Sequence, residues 1–562
     1  MKKTIALLLG AATLMSTVAS AFTFPEPDWG ALLNEKKQMV IASDFELYTE
    51  GALSSVPYYN AKFEPCGGVY IGTVAENSEK LGSVSSYLTY IDDMYQDDLY
   101  YPANKMIKEN NVVATIGWTI NDVNNIDYNK VNSVLKTLNS YNKPMFIRFA
   151  NEMNCSGLGD DPQKYIEIFR TVADLIHKYE NLATVWSPND LGALDRPFEY
   201  FYPGDEYVDW IGVSCYCIKY FMGNQNTAQK DSVYFMTGEY AWITNRLKPV
   251  VDFMKKNNIQ KPVMISEGGV ATNNKFGENL EGWATPRLRN MFYNVIMKYP
   301  QVKLINYFDG YRPDEAERFN ISEYPYAVDI FKEALNCGAY ITDTTAAPDF
   351  AFVRADKGET LVAKDGKVNL YTLAYFEKTP ELEISYNIDG KWYTSKYSSP
   401  YKCELDISTL SDGKHILEIR AGSNAKKYTF FKKGTMLRFG AEPDVNSIEI
   451  KVKLNGKRLP FDQAPVIVNG RTLVPLRAIF EALGATVLWD DTTKTVTATR
   501  QNTTVSLTIN KSDMYINNSV ISLDVAPTLI GRRTLVPVRA VSEAFDCDVS
   551  WDDTTKTVIL NN

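Results

Sequence analysis

Two acids stand where apolar runs stop. "FIRFANEMNCSG" (146–157) leaves its hydrophobic stretch at Asn151 and Glu152, and "PVMISEGG" (262–269) ends around Glu267, 115 residues later. Two carboxylates on facing walls of one pocket can cleave a glycosidic bond. One must carry a proton for the departing oxygen, and the other must be ionised to attack the anomeric carbon. In a retaining pair they sit roughly 5–5.5 Å apart, and their environments differ so that their pKa values separate. A Glu after a strand is more often a helix cap or an ion-pair partner, and the chain holds 68 acids. The chemical reading gains from the shared context of the two acids and from their neighbours. Arg148, four residues before Glu152, suits holding a carboxylate ionised. Asn151 suits a hydrogen bond to a sugar 2-hydroxyl. Tyr216, which ends "VDWIGVSCY" (208–216), suits orienting a nucleophile through its hydroxyl. Trp118 and Trp186 end two further apolar runs, where a ring either stacks on a sugar face or packs in a core.

Such side chains need a frame that brings strand ends together. From about residue 60 to 340, strand-like and helix-like runs alternate. The strand candidates are "GGVYIGTV" (67–74), "VVATIGW" (112–118), "PMFIRFA" (144–150), "LATVWSP" (182–188), "VDWIGVSCY", "PVMISEGG" and "VKLINYF" (302–308). A further strand is expected near "YLTYIDD" (87–93). The runs are continuously apolar, as parallel strands covered on both faces are. Amphipathic stretches such as 128–142 and 162–180 lie between them. Length and alternation predict a (β/α)8 barrel over 22–342, with reacting groups at the C-terminal ends of its strands. Counted from "GGVYIGTV", Glu152 follows strand 4 and Glu267 follows strand 7.

Beyond 343 the helical period disappears. Short alternating strands separated by "DGK" turns at 389–391 and 412–414 predict an immunoglobulin-like β-sandwich over 343–440. Residues 446–562 contain an internal repeat. "RTLVPLRAIFEALGATVLWDDTTKTV" from Arg471 returns as "RTLVPVRAVSEAFDCDVSWDDTTKTV" from Arg533, an offset of 62 that also superposes Trp489 on Trp551. Each copy reads as strand, helix and hairpin, an α+β tandem repeat. The shared Arg477 and Arg539 are expected to pair with helix or turn acids.

The 562 residues are too many for one core. Lys2 and Lys3, an apolar run and Ala19-Ser20-Ala21 read as a removed secretory signal over 1–21. No later segment is apolar enough to cross a bilayer, so a secreted or surface-associated protein is expected. Removal of the two lysines takes the formal charge from −9 to −11, which argues against nucleic acid as a partner. The 35 Tyr suit either carbohydrate contact or β-rich cores. Seven Cys at scattered spacing make no disulfide framework, and Cys215 and Cys217 would share one face of a strand. Two His, His177 and His415, exclude a His-rich metal centre. No cofactor is expected.

"IRFANEMN" (147–154), "VWSPND" (185–190), "YPGDEYVDWIGVSCY" (202–216) and "PVMISEGG" resemble the strand-4 to strand-7 motifs of glycoside hydrolase family 26, the β-mannanase family of clan A. The resemblance covers roughly 60–340. It implies Glu152 as acid/base, Glu267 as nucleophile, Tyr216 as the nucleophile's partner, and Arg148 and Asn154 as residues shaping the site. It implies hydrolysis of β-mannan or a related β-glycan. The chain departs from the family pattern in three places. Asn151 stands where the family commonly has His, "CSGLGDDPQ" (155–163) replaces an aromatic-rich segment, and strand 8 ends in Tyr307-Phe308-Asp309 without the usual Trp. Residues 450–562 resemble the small stalk domain named after the N-terminal domain of copper amine oxidases, frequent in secreted proteins of Gram-positive bacteria. The matching oxidase domain is missing, so amine oxidation is not expected. The candidate substrate-binding set is Arg148, Asn151, Asn154, Tyr216, Trp118 and Trp186, with wall polymer as a further partner of the C-terminal modules. The rival reading is a non-catalytic carbohydrate-binding or adhesion protein built on the same barrel.

Overall fold

The computed structural model describes residues 45–92, 98–120, 125–155, 160–190, 196–219, 242–274, 278–310, 317–374, 383–394, 399–517 and 519–562; the signal-like segment 1–21 lies outside them. Eight strands form the barrel: β1 (Val69–Val74), β2 (Ser86–Asp92), β3 (Val113–Thr119), β4 (Met145–Phe149), β5 (Leu182–Trp186), β6 (Trp210–Cys217), β7 (Val263–Val270) and β8 (Val302–Tyr307). Every neighbouring pair is parallel, and β8 returns to β1 with Leu304 beside Tyr70 and Tyr307 beside Thr73. The strand expected near 87–93 is β2.

Helices cover the outside because their apolar residues fall on one stripe. Tyr128–Asn139 buries Val131, Val134, Leu135 and Leu138, spaced to line one face, and starts at Asp127, whose carboxylate accepts the N–H groups of Asn129 and Lys130. Pro162–Ile176 starts in the same way at Asp161, with Pro162 in its first turn.

The barrel interior is layered by the two-residue period of its strands. At the closed end, Phe146 of β4 meets Trp210 of β6 edge-on at 4.8 Å between ring centroids, and Phe63 seals them at 5.8 Å. The Trp210 indole N–H donates to the Lys62 carbonyl at 2.7 Å, fixing the plug. A polar layer lies above: Ser86 donates to Asn306 Oδ1 (2.8 Å), Asn306 donates to Thr115 Oγ1 (2.9 Å), and Ser187 and Ser266 share a hydrogen bond of 2.8 Å. Gly212 makes room for the last pair, since a Cβ there would stand 3.0 Å from both hydroxyls.

A two-sheet sandwich follows. Its four-stranded sheet runs Ala351–Arg354, Glu46–Gly51, Lys367–Leu373, Tyr401–Asp406, and its six-stranded sheet packs over a core including Tyr386, Leu417, Ile419 and Phe430. The strand Glu46–Gly51 falls within the 22–342 span assigned to the barrel, yet it pairs antiparallel on both sides with sandwich strands. Phe45 and Leu47 alternate into the sandwich core, which settles where the strand goes. The barrel is therefore inserted between two strands of the sandwich. Asp389 (φ 49°) and Gly390 (φ 96°) form the tight turn of the first "DGK".

The C-terminal region is β-rich with two short helices, Leu476–Ala482 and Val538–Glu543, one in each sequence copy. Arg477 reaches Glu481 (3.9 Å) and Arg539 reaches Glu543 (4.0 Å) within these helices, as expected. The region is anchored to the chain leaving the barrel. Arg458 is buried and donates to the Asp349 carbonyl (2.8 Å), Ala347 N–H donates to the Arg458 carbonyl (2.9 Å), and Lys457 pairs with Asp343 (2.5 Å). All seven cysteines are free thiols, with Cys215 and Cys217 buried on the outward face of β6. Among the described residues no helix is long and apolar enough to cross a membrane.

Candidate active site

The two glutamates are delivered by different backbone devices. After β4 the chain does not leave the barrel rim. Ala150 N–H donates to the Trp118 carbonyl (2.9 Å) and Glu152 N–H to the Ser187 carbonyl (2.8 Å), so the segment stays laced to both neighbouring strands. Ala150 (φ 50°) and Glu152 (φ 55°) both adopt the left-handed region that non-glycine residues avoid. Asn154 holds the turn from behind: its buried amide donates to the Asn189 carbonyl (2.9 Å) and accepts the Asn189 N–H (3.0 Å).

Glu267 is placed by a bulge. In β7 the pairing with β6 slips between Val213 and Ser214, and the pairing with β8 slips between Ile305 and Tyr307. The extra residue lets two consecutive side chains, Ser266 and Glu267, both face inward. Gly268 follows because a Cβ there would lie 2.7 Å from the Cys215 carbonyl.

Arg148 ties the site together. It faces inward from β4, two residues beyond Phe146, and is fully buried. Its guanidinium donates to Glu267 Oε2 (3.0 Å), Ser187 Oγ (3.1 Å) and Ser214 Oγ (3.0 Å). Tyr216, six residues beyond Trp210 on the same inward row of β6, donates its hydroxyl to Glu267 Oε1. Its ring packs on Phe319 (4.8 Å) and Phe308 (6.1 Å).

These contacts separate the two acids electrostatically. Burial pushes the Glu267 carboxyl toward its neutral form, but the Arg148 charge and the hydrogen bonds from Tyr216 and Arg148 outweigh it and hold the pKa below the usual carboxylate range. Burial also raises Glu152, and the negative charge of Glu267 raises it further; Ser214, Arg148 and Asn189 offset this only in part. Burial, followed by the Glu267 charge, raises the Tyr216 phenol well above its ordinary value, so it remains a donor at neutral pH. The arrangement biases one carboxyl toward its neutral form and the other toward its ionised form, the division of labour that acid-assisted nucleophilic substitution requires.

Of the eight residues singled out from the sequence, six converge here. Glu152, Glu267, Arg148 and Tyr216 form one electrostatic network, Asn151 precedes Glu152, and Asn154 acts on the turn without reaching the surface. Trp118 and Trp186 do not join them. Both rings are fully buried on the outward faces of β3 and β5, Trp118 edge-on to Phe149 (5.5 Å) and Trp186 donating to the Phe201 carbonyl (3.0 Å). Strand parity explains this: Gly117 and Ser187 hold the adjacent inward positions. Neither Trp offers a face to a sugar. Ser187, Ser214 and Tyr90 lie outside the set read from the sequence, and Phe308 enters it only as part of the strand-8 end that departs from the family pattern. Stepping by two from Trp210 reaches Ser214, and stepping by two from Ser86 reaches Tyr90, so strand parity was the available signal. Among the described residues no cluster of three or more His, Cys, Asp or Glu is spaced to hold a metal ion.

Comparison with known proteins agrees in both regions. Residues 108–282 match glycosyl hydrolase family 26, and residues 453–560 match the copper amine oxidase N-terminal domain. The chain is 24% identical over 174 residues to a β-1,3-xylanase of a Vibrio species, covering 26% of this chain and 36% of the relative. It is 24% identical over 226 residues to a β-1,3-xylanase of an Alcaligenes species, covering 38% and 43%. The chain thus spans less than half the length of these curated relatives. Similar solved structures include a family 26 β-mannanase from Bacteroides ovatus (12% identity, TM-score 0.35, covering 49% of this chain and 90% of that one). A second is the catalytic domain of a family 26 endo-β-1,4-mannanase from a Bacillus species (16%, 0.34, 49% and 87%).

Proposed function

From a chain that carries a glycoside hydrolase family 26-like barrel and a C-terminal domain of the copper amine oxidase N-terminal type, we propose a secreted retaining glycosidase that cleaves a β-linked polysaccharide. Glu267 attacks the anomeric carbon while Glu152 gives its proton to the departing glycosidic oxygen, forming a glycosyl ester on Glu267. Glu152, now ionised, takes a proton from water, which displaces Glu267 and restores the original β configuration. Arg148 and Tyr216 bind the Glu267 carboxylate and set its attack direction. The buried Asn151 Oδ1, which has no hydrogen-bond partner among the described residues, is an acceptor suited to a sugar hydroxyl beside Glu152. The observation that carries the reading is the Glu267 carboxylate gripped by the Arg148 guanidinium and the Tyr216 hydroxyl at the same barrel end to which the laced turn after β4 delivers Glu152.

The substrate is a β-mannan or a related β-glycan. The curated relatives favour testing β-1,3-xylan beside β-1,4-mannan. A polysaccharide panel run with wild type and Glu267→Ala tests the proposal: wild type releases oligosaccharides from at least one β-glycan and the variant releases none. Equal release by both variants overturns it. The signal-like segment supports secretion, which N-terminal sequencing of the mature protein checks; the expected first residue is Phe22.

The C-terminal domain is suited to hold polymer. Trp489 and Trp551, at matching positions of the two copies, are 41% and 36% exposed. Their indole N–H groups are tethered to Asp491 (3.4 Å) and Asp553 (3.2 Å). Outward rings of fixed orientation suit stacking on sugar faces. The double variant Trp489→Ala/Trp551→Ala in the full chain is expected to lose retention on insoluble cell-wall polysaccharide while soluble-substrate turnover is unchanged; undiminished retention counts against this role.

A further inference from the structure

The inner face of the barrel brings one more phenol to the nucleophile. β2 turns Ser86, Leu88 and Tyr90 inward in steps of two, so Tyr90 stands at the height of the site, while Ser86 belongs to the polar layer below. In the register between β2 and β3, Tyr90 lies opposite Gly117. A Cβ built on Gly117 would stand 2.7 and 2.9 Å from Cδ1 and Cε1 of the Tyr90 ring and 3.5 Å from Nη1 of Arg148. The missing side chain at 117 is therefore the space that admits the ring beside the guanidinium. Phe308 closes the other side edge-on, at 6.4 Å and 77°. Held between β3 and Phe308, whose ring Tyr216 also meets, the half-buried Tyr90 stands beside the Arg148 guanidinium that binds Glu267, with its hydroxyl oxygen closed off from solvent. The charged and titratable groups facing Glu267 are thus Arg148 and Glu152 from β4 and its following turn, Tyr216 from β6 and Tyr90 from β2.

We propose that Tyr90 is a second positioning phenol for Glu267, and that Gly117 is the residue that makes room for it. The inference rests on the nucleophile assignment above. Three groups from three strands then hold the carboxylate, so its orientation survives the loss of any one contact as substrate enters. Loss of the Tyr90 hydroxyl removes a donor to the charged form, so the Glu267 pKa rises.

The test reads Glu267 directly. The protein is labelled with 13C at glutamate carboxyl carbons, and the Glu267 resonance is assigned by its disappearance in Glu267→Gln. Tyr90→Phe keeps the ring and the fold, and is expected to raise the Glu267 midpoint by about one pH unit, the scale of one hydrogen bond to a charged group. Gly117→Ala, which displaces the ring without removing a functional group, is expected to shift it in the same direction. On a cleavable substrate, Tyr90→Phe is expected to move the acidic limb of kcat/KM upward, lowering kcat more than it changes KM. A Glu267 midpoint unchanged in Tyr90→Phe overturns the inference. A wild type that cleaves no β-glycan overturns the proposed function and leaves the titration result readable.

Discussion

The two ends of the barrel interior are built by the same strands and have opposite chemistry. β4 contributes Phe146 to one end and Arg148 to the other, two residues apart. β6 contributes Trp210 below and Ser214 and Tyr216 above. The closed end is a dry cluster of Phe146, Val185, Trp210, Met264 and Leu304, sealed by Phe63. The open end holds two carboxylates and a guanidinium, each partly or wholly removed from water. The polar middle layer of Ser86, Thr115, Ser187, Ser266 and Asn306 lies between the two ends and makes the transition gradual. The contrast teaches that strand rise along the barrel axis, not strand identity, decides whether a position stabilises or reacts. Irregular backbone occurs at both ends: the left-handed Ala150 and Glu152 and the bulge that places Glu267 lie at the open end, while at the closed end the β7–β8 register slips between Val302 and Leu304 and the sealing Phe63 is itself left-handed (φ 62°).

That contrast can be broken from either side. The largest effect is expected at the open end. Glu267→Ala removes the proposed nucleophile and should lower kcat by roughly 10⁶-fold, the scale seen when a nucleophile is deleted. Glu152→Ala should lower it by about 10²–10⁴-fold on polysaccharide, with recovery when azide or an activated leaving group is supplied. Steady-state kinetics on both variants checks this. At the closed end, Phe146→Ala should cost about 3–5 kcal/mol of stability by opening a cavity, read by chemical denaturation, and should leave both limbs of the pH–rate profile where they are. A shift in either limb would merge the two ends into one functional unit.

The pH profile sharpens the account within the open end. Glu267 must be ionised, and its lowered pKa keeps activity intact into the acidic range, lost as pH falls through that value. Glu152 must be protonated, and its raised pKa extends activity upward, lost as pH rises through that value. The two interact, so the limbs belong to the pair. Ser214→Ala removes a group that favours ionised Glu152. The alkaline limb should therefore move upward by a fraction of a pH unit, the smallest effect predicted, with the acidic limb nearly fixed.

The barrel was legible because both faces of its strands are covered, which leaves continuous apolar runs that few other arrangements produce. Glu152 and Glu267 were legible because each ends such a run. For Trp118 and Trp186 sugar contact and core packing both stay open in the sequence, because a run buried on both faces carries no alternation and inward and outward residues look alike; the structure places both in the core. The bulge that turns both Ser266 and Glu267 inward left no mark for the same reason. Tyr90 was hidden inside a strand that could be placed only approximately, and the role proposed for it depends on the absence of a side chain at Gly117 on the next strand. Glu46–Gly51 was assigned to the wrong neighbour because its partners lie some 300 residues away in sequence, a distance at which local pattern carries no pairing information.

The central claim is double displacement by Glu267 and Glu152. Proton NMR of the first product released from a cleaved β-glycan, recorded before mutarotation, tests it most directly. The account predicts the β anomer at the new reducing end; an initial α anomer would contradict it.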